Sequence, residues 1–213
     1  MDGIGSGKKI LNEVSDWIIK ITSGRTVLAA LVGILVTGFL VNGRPFGIAE
    51  LKSITGGVGI LDMEVFYTPE QAYAFLAAMG EAGRSFELTH IIPLDLLVPF
   101  FYALFLSTFI SWLLHRWLPA ASPWHRLNII PVIGALFDYL ENLGIIAMLL
   151  AWPMEMNSIA QITMAATLLK FGFSLLAFII VLGAIAGWAV TAVRQKNRKS
   201  PVPNPEESGA EHE

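Results

Sequence analysis

The sequence predicts an all-α fold: a polytopic membrane protein with a bundle of four transmembrane helices, a small extracytoplasmic helical cap and an N-terminal amphipathic helix. Three observations support this fold class. Of the 213 residues, 54% are hydrophobic and only 15% are charged, whereas soluble domains carry about 25% charged residues. The mean hydropathy is +0.62. Apolar runs long enough to cross a bilayer recur along the chain.

Residues 1–22 are expected to form the amphipathic helix on the cytoplasmic side. Between Lys8 and Ile21, apolar side chains recur every three or four positions and charged side chains occupy the other face. A helix of this kind either lies in the membrane interface or packs on another part of the bundle. The pattern alone is compatible with both.

Residues 23–195 are expected to form the transmembrane domain, with spans at about 25–42, 91–114, 127–151 and 160–193. Pro99 lies inside the second span, where a proline bends a helix and frees the carbonyl four residues earlier, at Asp95. The fourth run continues for about 50 Å, which is longer than the hydrocarbon layer and requires tilt or protrusion.

Residues 43–90 are too long for a plain loop and are expected to form the cap. Thr68-Pro69-Glu70-Gln71 has the pattern of a helix start, with Thr68 and Gln71 closing a capping box. The helix that follows is too short to span, so we place it over the outer end of the bundle. Residues 196–213 are polar and proline-rich, and we expect a disordered cytoplasmic tail.

The distribution of basic residues predicts the orientation of the chain. Four spans put both termini and the turn between the second and third spans on one side. By the positive-inside rule that side is the cytoplasm, which makes this a multi-pass protein of the cell membrane. The basic residues of that side are Lys8, Lys9, Lys20, Arg25, Arg116, Arg126, Arg194, Lys196, Arg198 and Lys199, against Arg44, Lys52 and Arg84 on the other.

Three polar residues near the middle of the third span predict the functional region. Asp138, Glu141 and Asn142 stand at helical spacing i, i+3 and i+4 and therefore project from one face. A carboxylate that faced lipid at this depth would cost at least about 2.5 kcal/mol. We therefore expect this face to look into protein or trapped water.

Lys170 is the one basic residue inside a predicted span. Counting about 1.5 Å per residue places it at about the height of Asp95, which is its best-matched partner. Glu141 is reachable if the lysine stem points inward. The expected ligand-binding residues are Asp95, Tyr102, Asp138, Glu141, Asn142 and Lys170.

These residues lead to one main functional hypothesis and two alternatives. The main hypothesis is a membrane protein that binds or translocates a small cationic or amphipathic ligand through the buried acidic cluster, with possible proton coupling. The first alternative is an intramembrane enzyme that uses Glu141 or Asp138 as a general acid or base. The second is an accessory or assembly subunit of a membrane complex.

Other patterns bear on cofactors and partners. The chain has no cysteine, which excludes disulfides and thiolate metal sites. No H-x-x-E or paired E-x-x-H spacing is present. This disfavours the alternative of a divalent metal at Asp95, Glu141 and a loop carboxylate, and we expect no metal and no cofactor. We expect contact with membrane lipids and no nucleic acid. A membrane-protein partner or a second copy could pack on small-residue stripes, namely Ala29, Gly33 and Thr37, or Gly183 and Gly187.

Overall fold

The structure is a computed structural model that describes residues 2–199. This part is all-helical, with 83% helix and no strand. Four helical segments are long and apolar enough to cross a membrane: Gly24–Asn42, Gly80–Leu114, Pro123–Ala151 and Asn157–Lys196. The prediction of an all-α chain with four such segments is confirmed.

Nine α-helices follow one another along the described chain, with short 3-10 and π-helical turns between some of them. The α-helices are α1 (Asp2–Ile21), α2 (Gly24–Asn42), α3 (Ile48–Thr55), α4 (Pro69–Ala78), α5 (Gly80–Phe86), α6 (Ile92–Asp95), α7 (Val98–Leu114), α8 (Ile130–Ala151) and α9 (Asn157–Lys199). The 3-10 turns are Leu61–Met63 and Pro123–Ile129, and Glu87–Ile91 is a π-helical turn.

The helical segment that contains the predicted second span begins before residue 91, because α5 and the π-helical turn lead into it from Gly80. The helix is then interrupted between α6 and α7, where Leu96 and Leu97 form a turn. Pro99 explains the interruption, since it has no N–H to donate to the carbonyl of Asp95. The Tyr139 hydroxyl donates a hydrogen bond to the Leu96 carbonyl at 3.1 Å. The predicted disturbance of the helix at this proline is therefore present as an interruption at Leu96 and Leu97.

The segment between α2 and α5 packs against one end of the bundle. The predicted capping box opens α4: the Gln71 N–H donates to the Thr68 hydroxyl, and the Thr68 N–H donates to the Gln71 side chain at 2.8 Å. Apolar side chains of this segment form one cluster with residues of α8 and α9, and its fully or almost fully buried members include Leu51, Leu61, Tyr67, Ala72, Leu76, Ile145, Met148 and Ala160. Burial of this apolar surface holds the segment in place.

At the other end of the bundle, α1 packs on α7 and on the turn that precedes α8. Ser15 and Ile18 of α1 are buried there, while Trp17 stays 57% exposed. The predicted helix is present, and one of its faces contacts the bundle. α9 continues to Lys199, so it includes the first residues of the predicted tail. The remaining tail residues, 200–213, lie outside the described part.

Candidate cation site

The polar face of α8 points into the bundle. Asp138 is 8% exposed, Asn142 is 1% exposed and Glu141 is fully buried. Because α8 packs along α9 over its length, this face looks at another helix instead of lipid. The expected burial of these three side chains is confirmed.

Lys170 of α9 lies among carboxylates. Its Nζ atom is 2.5 Å from Glu141 Oε2, and this contact is an ion pair without hydrogen-bond alignment. The same atom donates a hydrogen bond to Asp62 Oδ1 and is 4.0 Å from Asp138 Oδ1. The preferred pairing of Lys170 with Asp95 is wrong, and the alternative partner, Glu141, is confirmed. Counting residues along the helices gave the height of the lysine but not the direction of its side chain.

Asp62 is a member of this candidate site that sequence reasoning missed. It lies on the 3-10 turn Leu61–Met63, outside every spanning segment. Its neighbour Leu61 is 1% exposed and anchors the turn in the apolar cluster, which directs Asp62 toward α9. The available signal was an acidic residue inside the apolar run that begins at Ile60.

Asn142 connects the cluster to α6. Its side-chain amide donates to Asp95 Oδ2 at 2.9 Å and to Asp138 Oδ1 at 3.3 Å. Its own oxygen, Oδ1, is buried and has no hydrogen-bond partner among the described residues. The Thr167 hydroxyl donates to Glu141 Oε1 at 2.6 Å. Four carboxyl groups are therefore linked through one ammonium and one amide, and the Thr167 hydroxyl binds one of the four.

Tyr102 is placed differently from the other predicted site residues. Its hydroxyl donates to the carbonyl of Pro131 at 3.1 Å, and among the described side chains no hydrogen bond joins it to a carboxylate. Tyr67, from the segment that packs on the bundle end, is instead 3% exposed next to Thr167. Burial raises the pKa of Tyr67 to about 12, and the nearby Glu141 and Asp62 carboxylates act in the same direction. The hydroxyl is therefore neutral near pH 7.

Carboxyl groups outnumber cationic groups in this cluster, which consists of Asp62, Asp95, Asp138, Glu141, Asn142, Thr167 and Lys170. Oxygen atoms of Asp62, Asp138 and Glu141 all lie within 4.8 Å of one another. Glu87, two helical turns before Asp95, adds a further fully buried carboxyl with one unpartnered oxygen. Buried charges are tolerated when they are paired, and unpaired acids are neutralised by protons or cations. The arrangement is suited to holding a proton or a small cation.

Comparisons with known proteins add no functional information. No family model, no curated protein and no solved structure matches this chain.

Proposed function

We propose that this chain is a multi-pass protein of the cell membrane that binds and translocates a small cation, protons included, at the acidic cluster. Both termini lie in the cytoplasm, in keeping with the distribution of basic residues, and the segment 43–79 covers the outer end. One observation carries the functional proposal. A single buried ammonium, that of Lys170, is shared among three carboxyl groups, with a fourth linked through Asn142.

The surplus of carboxyl groups requires additional positive charge. With Lys170 charged, the four linked carboxyl groups could carry up to four negative charges in a region shielded from water. Electrostatic interactions are strong in such surroundings, so a proton or a mobile cation stabilises the cluster more than it would in water. Asn142 Oδ1 has no hydrogen-bond partner among the described residues. This amide oxygen is therefore available as a ligand for a cation.

Lys170 acts as a tethered cation in this proposal. A mobile cation that approaches Asp62 or Glu141 competes with the lysine for the same carboxylate oxygens. Binding therefore releases the ammonium from one carboxylate or releases a proton from the cluster. This competition prevents tight trapping, and release is as necessary for translocation as binding.

The cluster has a more accessible end and a closed end. The side chain of Asp62 is 19% exposed, whereas that of Glu141 is fully buried. A cation therefore reaches Asp62 first, from the side of the covering segment, and Glu141 afterwards. Both carboxylates contact the same Lys170 Nζ atom. A small movement of the lysine side chain therefore shifts the ammonium from one carboxylate to the other.

Charge movement in reconstituted membranes tests the proposal. Proteoliposomes on a solid-supported membrane are exposed to jumps in pH, sodium and methylammonium, and the transient current is recorded. Wild type is expected to give a transient current with at least one of these cations. Glu141→Gln and Asp62→Asn each keep the shape of the side chain but remove its charge, and we expect them to lower the current at least about tenfold.

Glu64→Gln is the matched control, because Glu64 lies two residues from Asp62 and is exposed. This variant is expected to give the wild-type current. The proposal is overturned if wild type gives no current with any of the three cations. It is also overturned if Glu141→Gln and Asp62→Asn both retain the wild-type response.

A further inference from the structure

A cavity of about 360 Å³ lies where the end of α1 meets the end of α7. Its lining residues are Ile19 and Thr22 on one side and Trp112, His115 and Arg116 on the other. The volume falls within the range of about 300–1,000 Å³ that is typical of small-molecule sites. Among its described lining residues there is no Asp or Glu, and none belongs to the acidic cluster. The cavity is therefore a separate site without negative charge.

Arg116 is positioned in this cavity by aromatic rings instead of by a carboxylate. Its Cζ atom lies 3.6 Å from the centre of the Trp112 ring and 5.3 Å from the centre of the Trp188 ring on α9. Both distances are within the reach of cation–π contacts, about 6 Å. In the part of the chain that the structure describes, Arg116 has no ion-pair partner. Stacking engages the face of the guanidinium, so the N–H groups at its edges stay free.

Two other polar groups of the cavity are already engaged. The Thr22 hydroxyl donates to the Ile18 carbonyl at 2.8 Å, and His115 Nδ1 donates to the Ser111 carbonyl at 2.7 Å. Arg116 therefore supplies the free donors of permanent charge, since an arginine stays protonated in proteins. Its charge selects an anion, and its planar fork of N–H groups matches the oxygens of a phosphate group.

The position of the cavity indicates where such a phosphate comes from. Arg116 follows closely after Leu114, the last residue of the spanning segment Gly80–Leu114. Tryptophan rings, such as the two that contact Arg116, collect at the level of lipid headgroups. The distribution of basic residues puts this end on the cytoplasmic side, where anionic lipids are concentrated and basic pockets between helices bind their headgroups.

We propose that this cavity binds the phosphodiester group of an anionic membrane lipid such as phosphatidylglycerol. The phosphate oxygens accept hydrogen bonds from the Arg116 guanidinium, while Ile19 and Trp112 supply apolar surface for the adjoining part of the lipid. A zwitterionic headgroup binds less well, because its ammonium finds no carboxylate among the described lining residues. The inference rests on the proposed membrane orientation but is independent of the cation site.

Lipid binding to the full-length protein in an uncharged detergent tests this site. Native mass spectrometry measures the binding of three lipids with equal acyl chains: phosphatidylglycerol, phosphatidylcholine and monogalactosyldiacylglycerol. Wild type is expected to bind phosphatidylglycerol most strongly and the galactolipid, which has no phosphate, most weakly. Inorganic phosphate at the concentration of the lipid should not displace phosphatidylglycerol, because it gains no apolar contact.

Variants separate the site from general attraction between charges. Arg116→Gln is expected to weaken phosphatidylglycerol binding about tenfold, since it removes charged hydrogen bonds, and to leave galactolipid binding unchanged. Arg116→Lys keeps the charge but loses the planar fork, so its binding should be intermediate. Arg126→Gln is the matched control, because Arg126 is exposed in the turn before α8 and does not line the cavity. It should bind as wild type does.

Three outcomes overturn the inference. The first is equal binding of phosphatidylglycerol and the galactolipid by wild type, which indicates unselective lipid contact and requires no variant. The second is an equal loss of phosphatidylglycerol binding in Arg116→Gln and Arg126→Gln, with circular dichroism showing that both variants are folded. The third is displacement of phosphatidylglycerol by an equal concentration of inorganic phosphate, which would make free phosphate the ligand.

Discussion

Two buried asparagines, Asn128 in the turn before α8 and Asn142 within α8, have different surroundings. Asn128 uses all of its side-chain groups: Oδ1 accepts from the Ser15 hydroxyl at 2.8 Å, and Nδ2 donates to the Ser15 carbonyl at 3.2 Å and to Ser111 Oγ at 3.0 Å. Asn142 donates to Asp95 and Asp138, but its Oδ1 atom has no partner among the described residues. The first asparagine has neutral partners, whereas the second contacts acids.

This difference separates a structural polar cluster from a functional candidate. The Asn128 cluster is complete within the chain and attaches α1 to α7 and to the turn before α8. The acidic cluster has surplus carboxyl groups and unpartnered oxygens, so the chain does not complete it. Satisfied buried networks make a fold rigid, while an incomplete one is suited to an additional ion.

The largest expected effect follows from removing the ammonium of the acidic cluster. Lys170→Met leaves Glu141, Asp62 and Asp138 without their shared countercharge. We expect it to lower the free energy of unfolding by about 3–5 kcal/mol, the usual cost of breaking a buried ion pair. Unfolding in mixed detergent micelles, followed by circular dichroism, measures the change.

Adding Glu141→Gln to Lys170→Met should recover part of this loss, because it removes one of the unpaired acids. Lys52→Met serves as the control on an exposed lysine and should change the free energy of unfolding by less than about 0.5 kcal/mol. A loss below about 1 kcal/mol in Lys170→Met would contradict our description of the cluster.

An intermediate effect is expected in the neutral cluster. Asn128→Ala removes three hydrogen bonds and leaves the Ser15 and Ser111 groups unpaired, so it should cost about 2 kcal/mol. Amides of α1 should then exchange with deuterium faster, as measured by mass spectrometry. The cation-dependent currents should not change, since Asn128 has no contact with the acids. A loss of current in this variant would show that the two clusters are coupled.

The smallest effect at neutral pH is expected at Tyr67, which lies outside the four spanning segments. Its hydroxyl has no hydrogen-bond partner of normal geometry among the described residues. Tyr67→Phe should therefore change the free energy of unfolding by less than about 1 kcal/mol at pH 7.

At high pH the same substitution should have a larger effect. Burial raises the pKa of Tyr67 from 10.0 to about 12 in the folded protein, so between these values the unfolded chain loses this proton before the folded chain does. Wild type then loses stability as pH rises through this window. Tyr67→Phe lacks this contribution, and its stability should decline less between pH 10 and pH 12. Parallel declines in thermal unfolding scans would contradict the assigned burial.

Structural features that depend on residues close together in the sequence were predicted correctly. The four apolar segments, the capping box at Thr68 and Gln71, and the interruption before Pro99 are all present. Helical spacing also predicted that Asp138, Glu141 and Asn142 share a buried face. Each of these features follows from backbone geometry within one or a few turns, which the order of residues specifies.

Contacts between distant segments were predicted less well. Asp62 joins Lys170 from a turn 108 positions earlier in the chain, and Asp95 bonds to Asn142 instead of to the lysine. Gly33 was expected on a small-residue stripe that a partner or a second copy could use, and the helix that packs closely on it is α7 of this chain: a Cβ atom at Gly33 would come 2.2 Å from the Phe101 ring. The helical segment that contains the predicted second span also begins at Gly80, because the helix continues through a π-helical turn that no periodicity indicated.

The sequence by itself determined that four apolar helices form. It also determined that one of these helices carries a polar face that lipid cannot cover, because the cost of exposing charge to hydrocarbon follows from residue type. Only the tertiary structure decided which groups meet that face. Burial of Leu61 and Tyr67 against α8 and α9 brings Asp62 to Lys170. Hydrophobic burial has no preferred direction, so the partners of the acids depend on how the whole chain packs.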